Sequence, residues 1–186
     1  MADQRSDRLI IAGFGGQGVM SLGQLLAHAG MLEGKNVSWL PSYGPEMRGG
    51  TSNCNVIVSN APVASPIVTR ASALIALNMP SLDRFESAVE PGGILLLNSS
   101  LINRRVERED IRVYYIPASE IAEELGNIRV ANSVLLGAYI EARGNVKRES
   151  VIMALKEVMG PSKQDLVPIN ERAMKKGASL IRELTN

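Results

Sequence analysis

The chain is poor in the side chains that most often ligate metals or act as nucleophiles. Its 186 residues include one cysteine, Cys54, and one histidine, His28. A single cysteine excludes an internal disulfide and the multi-cysteine ligand set of an iron–sulfur cluster. No Ser-His-Asp set can be assembled around His28, and no acidic or histidine cluster has metal-ligand spacing. We therefore expect no catalytic residue and no metal ligand in this chain. The lone thiol favours a reducing, cytoplasmic location.

Aromatic residues and excess charge of either sign are also scarce. Aromatic side chains make up 4% of the chain against 45% hydrophobic residues, which predicts an aliphatic core. The formal net charge is +1, so no strong field for a nucleic acid or a membrane surface is expected. The first residues lack the apolar segment of a signal peptide, and no run approaches the ~20 apolar residues of a membrane helix. We predict neither nucleic acid nor membrane as a partner.

The hydrophobic pattern predicts an α/β fold of the three-layer α/β/α kind, formed as a single domain over residues 1–186. Apolar segments of strand length alternate with segments of helical period, which is typical of a mainly parallel sheet. A hairpin over 51–68 is expected to add an antiparallel portion, with 64–68 returning beside 53–59. After residue 116 the chain reads as helical, giving a helical C-terminal third. The charged stretch 103–112 is expected to be a solvated loop, Cys54 a buried inert thiol and His28 a surface or packing residue.

A first glycine segment follows the first predicted strand. Residues 13–18 read Gly-Phe-Gly-Gly-Gln-Gly, which fits G-x-G-x-x-G between a strand and a helix. Such glycines allow a tight turn, and the helix N-terminus attracts an anion. A dinucleotide site also needs an acid at the end of the second strand, and residues 38–43 contain none. Two readings stay open at this point: a ligand-binding turn, and glycines needed only to pack the strand against the helix.

A second glycine segment follows the second predicted strand, over residues 42–51. It combines Tyr43, Pro45, Glu46 and Arg48 with the flexible pair at 49–50. A guanidinium binds a carboxylate or a phosphate with two parallel hydrogen bonds. The alternative is a local Glu–Arg pair that only stabilises a loop. The residues alone favour neither the ligand-binding role nor this structural role. Because adjacent parallel strands bring their C-terminal loops together, both segments are expected to line one site.

At these two segments the chain resembles the gamma subunit of the 2-oxoacid:ferredoxin oxidoreductases. The second motif is the more specific, and its wording is most similar to the branch that acts on 2-oxoglutarate; pyruvate, branched-chain and indolepyruvate relatives share the general pattern. The resemblance covers roughly residues 8–140. The residues that carry it are 13–19, 42–54, Ser65-Pro66, 73–78, Pro91-Gly92-Gly93, Asn132 and Leu136-Gly137.

The resemblance implies one subunit of an enzyme that converts a 2-oxoacid, coenzyme A and oxidised ferredoxin to an acyl-CoA, carbon dioxide and reduced ferredoxin. Thiamine diphosphate, magnesium and iron–sulfur clusters would carry the chemistry in partner subunits of the alpha, beta and, in some members, delta type. This chain would bind none of these cofactors by itself and would not be active alone.

The expected role of this subunit is to supply one wall of a substrate or coenzyme A site that it shares with its partners. The residues expected to contact ligand or partner are Gly15, Gly16, Gln17, Gly18, Tyr43, Glu46, Arg48, Gly49 and Gly50. Two alternatives stay open: an assembly module whose glycine segments dock a partner and touch no ligand, and a stand-alone nucleotide-binding oxidoreductase.

Overall fold

A computed structural model of the chain describes residues 6–42 and 51–185. The strands are β1 (Ser6–Phe14), β2 (Asn36–Ser42), β3 (Thr51–Ser59), β4 (Ala71–Ala76), β5 (Val89–Asn98) and β6 (Arg112–Ile116). The helices are α1 (Val19–Leu32), α2 (Met79–Phe85), α3 (Ala118–Glu124), α4 (Ala131–Arg143), α5 (Arg148–Met159) and α6 (Val167–Thr185). Within these ranges no helix is both long and apolar enough to cross a membrane.

The six strands form one sheet in the order β2-β3-β1-β4-β5-β6. Strands β1, β4, β5 and β6 run parallel to one another, while β3 is antiparallel to both β1 and β2. The mainly parallel α/β sheet with an antiparallel portion is therefore confirmed. The antiparallel portion is formed by other residues than predicted.

The antiparallel pair is not the predicted hairpin over 51–68. Residues 64–68 form no strand. Strand β3 instead lies between β2 and β1, with Ser42 opposite Asn53 and Phe14 opposite Thr51. The proline in each of the dipeptides 61–62 and 65–66 explains the difference, because a proline cannot donate to a strand ladder. A second consequence is that β1 and β2 are not adjacent, although both end at the same edge of the sheet.

The core is aliphatic and lies on both faces of the sheet. Consecutive residues of one strand, such as Leu74 and Ile75 of β4, lie in different core clusters, because successive strand side chains face opposite sides of the sheet. On one face the sheet packs against α1, α3, α4, α5 and α6. On the other face the cover is α2 with the irregular segments around Val68 and Ile102. The helical C-terminal segment therefore belongs to the first face, and the second helical layer consists of one short helix.

The charged stretch at 103–112 is more than the solvated loop that its composition predicts. Val106 and Ile111 are buried in the core of the second face. The Arg108 guanidinium donates to the backbone carbonyls of Glu86 at 2.9 Å and Val89 at 2.8 Å. The sequence did not indicate this packing, because the few apolar residues of the stretch stand singly among charged ones.

Helices α4 and α6 cross with their backbones in direct contact. A Cβ atom on Gly137 would collide with the backbone of Met174, and one on Gly177 would collide with the Val134 carbonyl. Only glycine lets two helix backbones approach this closely. Gly137, which the family resemblance singled out, therefore has a packing role.

Candidate functional site

The carboxyl ends of β1, β4, β5 and β6 meet at one edge of the sheet. From β1 the chain continues through α1 on one face, whereas from β4 it continues through α2 on the other face. The direction in which the chain adds strands to the sheet therefore reverses between the adjacent parallel strands β1 and β4. In open α/β sheets, ligands bind in the crevice outside the carboxyl ends at such a reversal.

The first glycine segment forms a tight turn at this crevice. Gly16 and Gly18 have φ values of 93° and 78°, a region that side-chain-bearing residues rarely adopt. The backbone N–H of Gln17 donates to the Phe14 carbonyl at 3.2 Å, which closes the turn. A Cβ on Gly18 would collide with the Asn132 amide of α4. The glycines are needed for the turn and for its contact with α4, so packing accounts for part of the motif.

The side chain of Gln17 joins the two strands at the reversal. Its Oε1 accepts hydrogen bonds from the Phe14 backbone N–H at 2.6 Å and from Asn78 Nδ2 at 3.1 Å. Asn78 also caps α2, because its Oδ1 accepts from the Ser81 backbone N–H at 3.0 Å. The turn after β1 and the start of α2 are thereby held at a fixed separation.

The neighbouring strand end is fixed in the same way by Asn98. Its Oδ1 accepts from the backbone N–H groups of Ala118 at 3.1 Å and Ser119 at 3.3 Å, and its Nδ2 donates to Ser119 Oγ at 2.9 Å. Asn98 of β5 thus caps α3 from a distance of some twenty residues in sequence. Ser119 therefore bonds to the capping side chain through both its hydroxyl and its backbone N–H.

A cavity of about 370 Å³ opens between these elements. Its lining includes Gly16 and Gln17 of the glycine turn, Asn98, Glu123 and Arg129. The volume lies in the range of small-ligand sites, which combine an apolar wall with a few placed polar groups. Of the predicted site residues, Gly16 and Gln17 therefore line one cavity with groups that the sequence did not single out.

Arg129 is the cation at this cavity. Its backbone N–H donates to Asn127 Oδ1 at 3.1 Å, which fixes the start of its side chain. The side chain is exposed, and within residues 6–42 and 51–185 it forms no ion pair. An unpaired guanidinium beside a glycine turn at a helix N-terminus suits an anionic group. The sequence did not identify Arg129 as a site residue, because the turn that contains it lies far along the chain from either glycine segment.

The second glycine segment lies outside the described residues. This applies to Tyr43, Glu46, Arg48, Gly49 and Gly50. The strands that it connects are described, and they place its ends. Residues 51–52 pair with 13–14 of β1, so the chain leaves the second segment beside the first glycine turn.

The topology argues against the dinucleotide alternative. The strand beside β1 on the α1 side is β3, which is antiparallel, and β2 lies one strand further out. In a dinucleotide fold, the acid that binds the ribose ends the parallel strand next to the first. Here the strand next to β1 on the α1 side is antiparallel, and the end of β2 carries no acid.

Among residues 6–42 and 51–185, the side chains that could ligate a metal are dispersed. Cys54 is fully buried, its Sγ lies 3.6 Å from the Val19 carbonyl, and burial raises the pKa of its thiol to about 12. His28 pairs with Glu157 of α5, away from the crevice. In the described part of the chain, no three His, Cys, Asp or Glu side chains come together as a metal site.

Comparison with known proteins shows which family the chain belongs to. Residues 8–180 match the family described as pyruvate ferredoxin/flavodoxin oxidoreductase. Ketoisovalerate oxidoreductase subunit VorA of Methanothermobacter thermautotrophicus is 43% identical over 95% of this chain and 36% of its own length. The 2-oxoglutarate synthase subunit KorC of Methanocaldococcus jannaschii is 32% identical over 94% of this chain and 93% of its own length.

A solved structure has the same fold. The keto/oxoacid ferredoxin oxidoreductase gamma subunit from Geobacter sulfurreducens superimposes with a TM-score of 0.81 and 28% identity, covering 95% of this chain and 99% of that one. The chain therefore belongs to the pyruvate ferredoxin/flavodoxin oxidoreductase family, and its likeness to the gamma-type subunits is confirmed. The relatives named above are subunits of oxoacid oxidoreductases, which are enzymes. The chain spans about a third of the length of the ketoisovalerate relative that it matches.

Proposed function

We propose that this chain is the gamma-type subunit of a 2-oxoacid:ferredoxin oxidoreductase and that the crevice at the reversal between β1 and β4 is its part of a shared active site. The observation that carries the proposal is the match over residues 8–180, together with the cavity between the glycine turn and Arg129. The reaction converts a 2-oxoacid and coenzyme A to an acyl-CoA and carbon dioxide, with the electrons passing to ferredoxin. Partner subunits of the alpha and beta type supply the thiamine diphosphate, magnesium and clusters.

The role of this chain in that reaction is to bind and orient an anionic group. Substrate and coenzyme A both carry anions, and Gly16 and Gln17 of the turn line one cavity with Arg129. Gln17 and Asn98 are positioning residues, because their hydrogen bonds fix the turn and the start of α3. Glu46 and Arg48 are proposed to complete the same wall from the second segment.

The substrate is proposed to be either 2-oxoglutarate or a branched-chain 2-oxoacid. The KorC relative supports 2-oxoglutarate, because it matches this chain over nearly its whole length. The VorA relative supports the branched-chain acid by its higher identity of 43%. Turnover of both acids, and of pyruvate, by the purified complex with coenzyme A and a ferredoxin decides between them.

The proposal is tested in the assembled complex with Arg129→Ala and Arg48→Ala. Each change is expected to raise the KM for coenzyme A or the 2-oxoacid by about tenfold, the value of one lost charge-assisted contact. Lys163→Ala, on the exposed turn after α5, is the matched control. Loss of complex assembly with normal kinetics of the remaining complex would support the assembly-module alternative instead. Unchanged KM values and unchanged assembly contradict a role of these arginines in ligand binding.

A further inference from the structure

A groove lies between helices α3 and α6. Its cavity of about 670 Å³ shares no lining residue with the cavity at the glycine turn. The lining residues of α6 recur every three or four positions from 172 to 183, so they form one side of that helix. At a rise of about 1.5 Å per residue, this side is roughly 16 Å long. The groove is therefore long enough to hold a segment of another polypeptide.

The floor of the groove is apolar. Ile121 of α3 is buried, whereas Leu125 and Leu180 are only partly buried where they pack against the core. Pro117, just before α3, lines the same cavity. An apolar floor between two helices is the kind of groove that receives the apolar side of an amphipathic segment.

Three cations line the groove from α6. Arg172, Lys175 and Lys176 are exposed, and they lie within little more than one turn of the helix. Among residues 6–42 and 51–185 none of the three forms an ion pair. These charges are therefore available to carboxylates of a partner.

Two carboxylates also line the cavity, Glu124 on α3 and Glu183 on α6. Neither forms an ion pair with the cations in the described part of the chain. Glu183 follows Lys176 by two turns of the helix, about 10 Å further along its axis. The positive charge is thus concentrated at one part of the groove, and interfaces place opposite charges against each other.

We propose that this groove docks an amphipathic acidic segment of a partner subunit. Its apolar side chains cover Leu125 and Leu180, and its carboxylates face Arg172, Lys175 and Lys176. The proposal rests on the proposed function, because that function supplies the partner subunits. The apolar floor contributes buried area and the cations fix the orientation of the segment. A small anion would occupy the cationic part alone and leave the leucines in water, so the groove suits a polypeptide better.

Zero-length crosslinking of the assembled complex tests the contact directly. A carbodiimide joins a lysine to a carboxylate only where the two groups touch. We expect it to join Lys175 or Lys176 to an aspartate or glutamate of a partner subunit, identified by mass spectrometry. Acetylation of both lysines is expected to be slower in the complex than in the isolated chain. Lys163, exposed on the turn after α5, is the internal control and is expected to react at the same rate in both.

Charge reversal measures the contribution of the cations to docking. Lys175→Glu combined with Lys176→Glu is expected to raise the dissociation constant from the partner subunits by at least about tenfold at low salt. The salt dependence of that constant is expected to weaken as well. Lys156→Glu combined with Lys163→Glu makes the same change in charge at exposed lysines outside the groove and is the matched control. Since all four lysines are exposed, both double variants are expected to keep the denaturation midpoint of the wild-type chain.

The outcomes separate this proposal from the proposed function. An active complex in which Lys175 and Lys176 react as fast as in the isolated chain overturns the docking proposal alone. So does an equal loss of affinity in the two double variants. Protection by coenzyme A added to the isolated chain, with no further change on assembly, assigns the groove to a small anion and also overturns it. A chain that binds no alpha- or beta-type subunit contradicts the proposed function, and the docking proposal falls with it.

Discussion

Gln17 and Asn78 are joined by a hydrogen bond of 3.1 Å between the ends of β1 and β4, where the order in which the chain adds strands to the sheet reverses. The same Gln17 oxygen accepts from the Phe14 backbone N–H at 2.6 Å. One side-chain amide therefore fixes the turn after β1 to the segment after β4. These two strand ends form the crevice that the proposed function uses, and this contact adds to the backbone hydrogen bond from the Leu77 N–H to the Ala12 carbonyl, at 2.8 Å, that already joins them.

Replacing Gln17 separates the structural and the electrostatic contributions of the turn. Gln17→Ala removes the acceptor and leaves Asn78 Nδ2 unpaired, which should lower the free energy of unfolding by about 1–2 kcal/mol. Gln17→Glu keeps an acceptor at the same place, so stability should change by less than about 1 kcal/mol. In the assembled complex, however, its carboxylate should raise the KM for coenzyme A by about tenfold through repulsion of an anion.

Chemical denaturation of the isolated chain and steady-state kinetics of the complex measure these two effects. Gln24→Glu, an exposed change on α1 outside the crevice, is the matched control. Equal KM values for Gln17→Glu and Gln24→Glu would contradict an anion site at the glycine turn.

Much of the fold follows from local patterns that the sequence displays directly. Strand β4 and residues 94–97 of β5 are continuous apolar runs, which this pattern predicts without tertiary information. Strand β5 itself starts earlier, at Val89, and runs through Pro91-Gly92-Gly93, which the sequence pattern alone reads as a break. The alternation over 53–59 likewise predicts that Cys54, Val56 and Val58 share one face, and all three lie in the same core cluster. Hydrophobic periodicity and the positions of glycine and proline are local properties, so they predict strands and helices without knowledge of the neighbouring elements.

Partner strands and long-range caps are not local properties. Nothing in residues 51–59 states that β3 inserts between β1 and β2, because strand pairing is decided by the whole sheet. The cap of α3 is Asn98, which lies twenty residues before Ala118. Arg129 reaches the cavity only because α3 and the turn after it return to the carboxyl edge. The glycine turn was predictable as a site, whereas the groups facing it were not.

Gly18 is expected to tolerate no side chain, for two separable reasons. Gly34 has a similar φ of 70° with open space around it, so Gly34→Ala should cost about 1 kcal/mol of stability from backbone strain alone. Gly18→Ala adds the collision with Asn132 and should cost about 1–3 kcal/mol more. Asn132→Ala should recover part of this difference in the double variant, with a coupling energy of about 1 kcal/mol. Additive effects in denaturant unfolding would show that the turn and α4 do not press on each other.

Protonation of Glu33 is expected to lower the free energy of unfolding at acidic pH. Burial alone would raise the pKa of this carboxyl, but the Lys147 backbone N–H and the Lys35 ammonium outweigh it and hold the pKa below that of an ordinary glutamate. A carboxyl whose folded pKa is depressed stabilises the fold above its unfolded pKa, and that contribution is lost as the pH falls through the folded value. Glu33→Gln should therefore lower stability at pH 7 and flatten its decline below about pH 4.5. Glu149→Gln, an exposed carboxyl on α5, is the control, and an identical acid-side decline for both variants would contradict the assignment.

The crossing of α4 and α6 is expected to be the least tolerant place in the fold. A methyl group at Gly137 or Gly177 meets backbone atoms of the facing helix, and backbone cannot rotate away as a flexible side chain can. Gly137→Ala and Gly177→Ala should each cost about 3 kcal/mol or more, read from the denaturation midpoint. Gly144→Ala, at the open C-terminal cap of α4, should cost only about 1 kcal/mol. If all three variants lost the same stability, the cost would come from glycine backbone freedom alone, and the close approach of the two helices would not hold in solution.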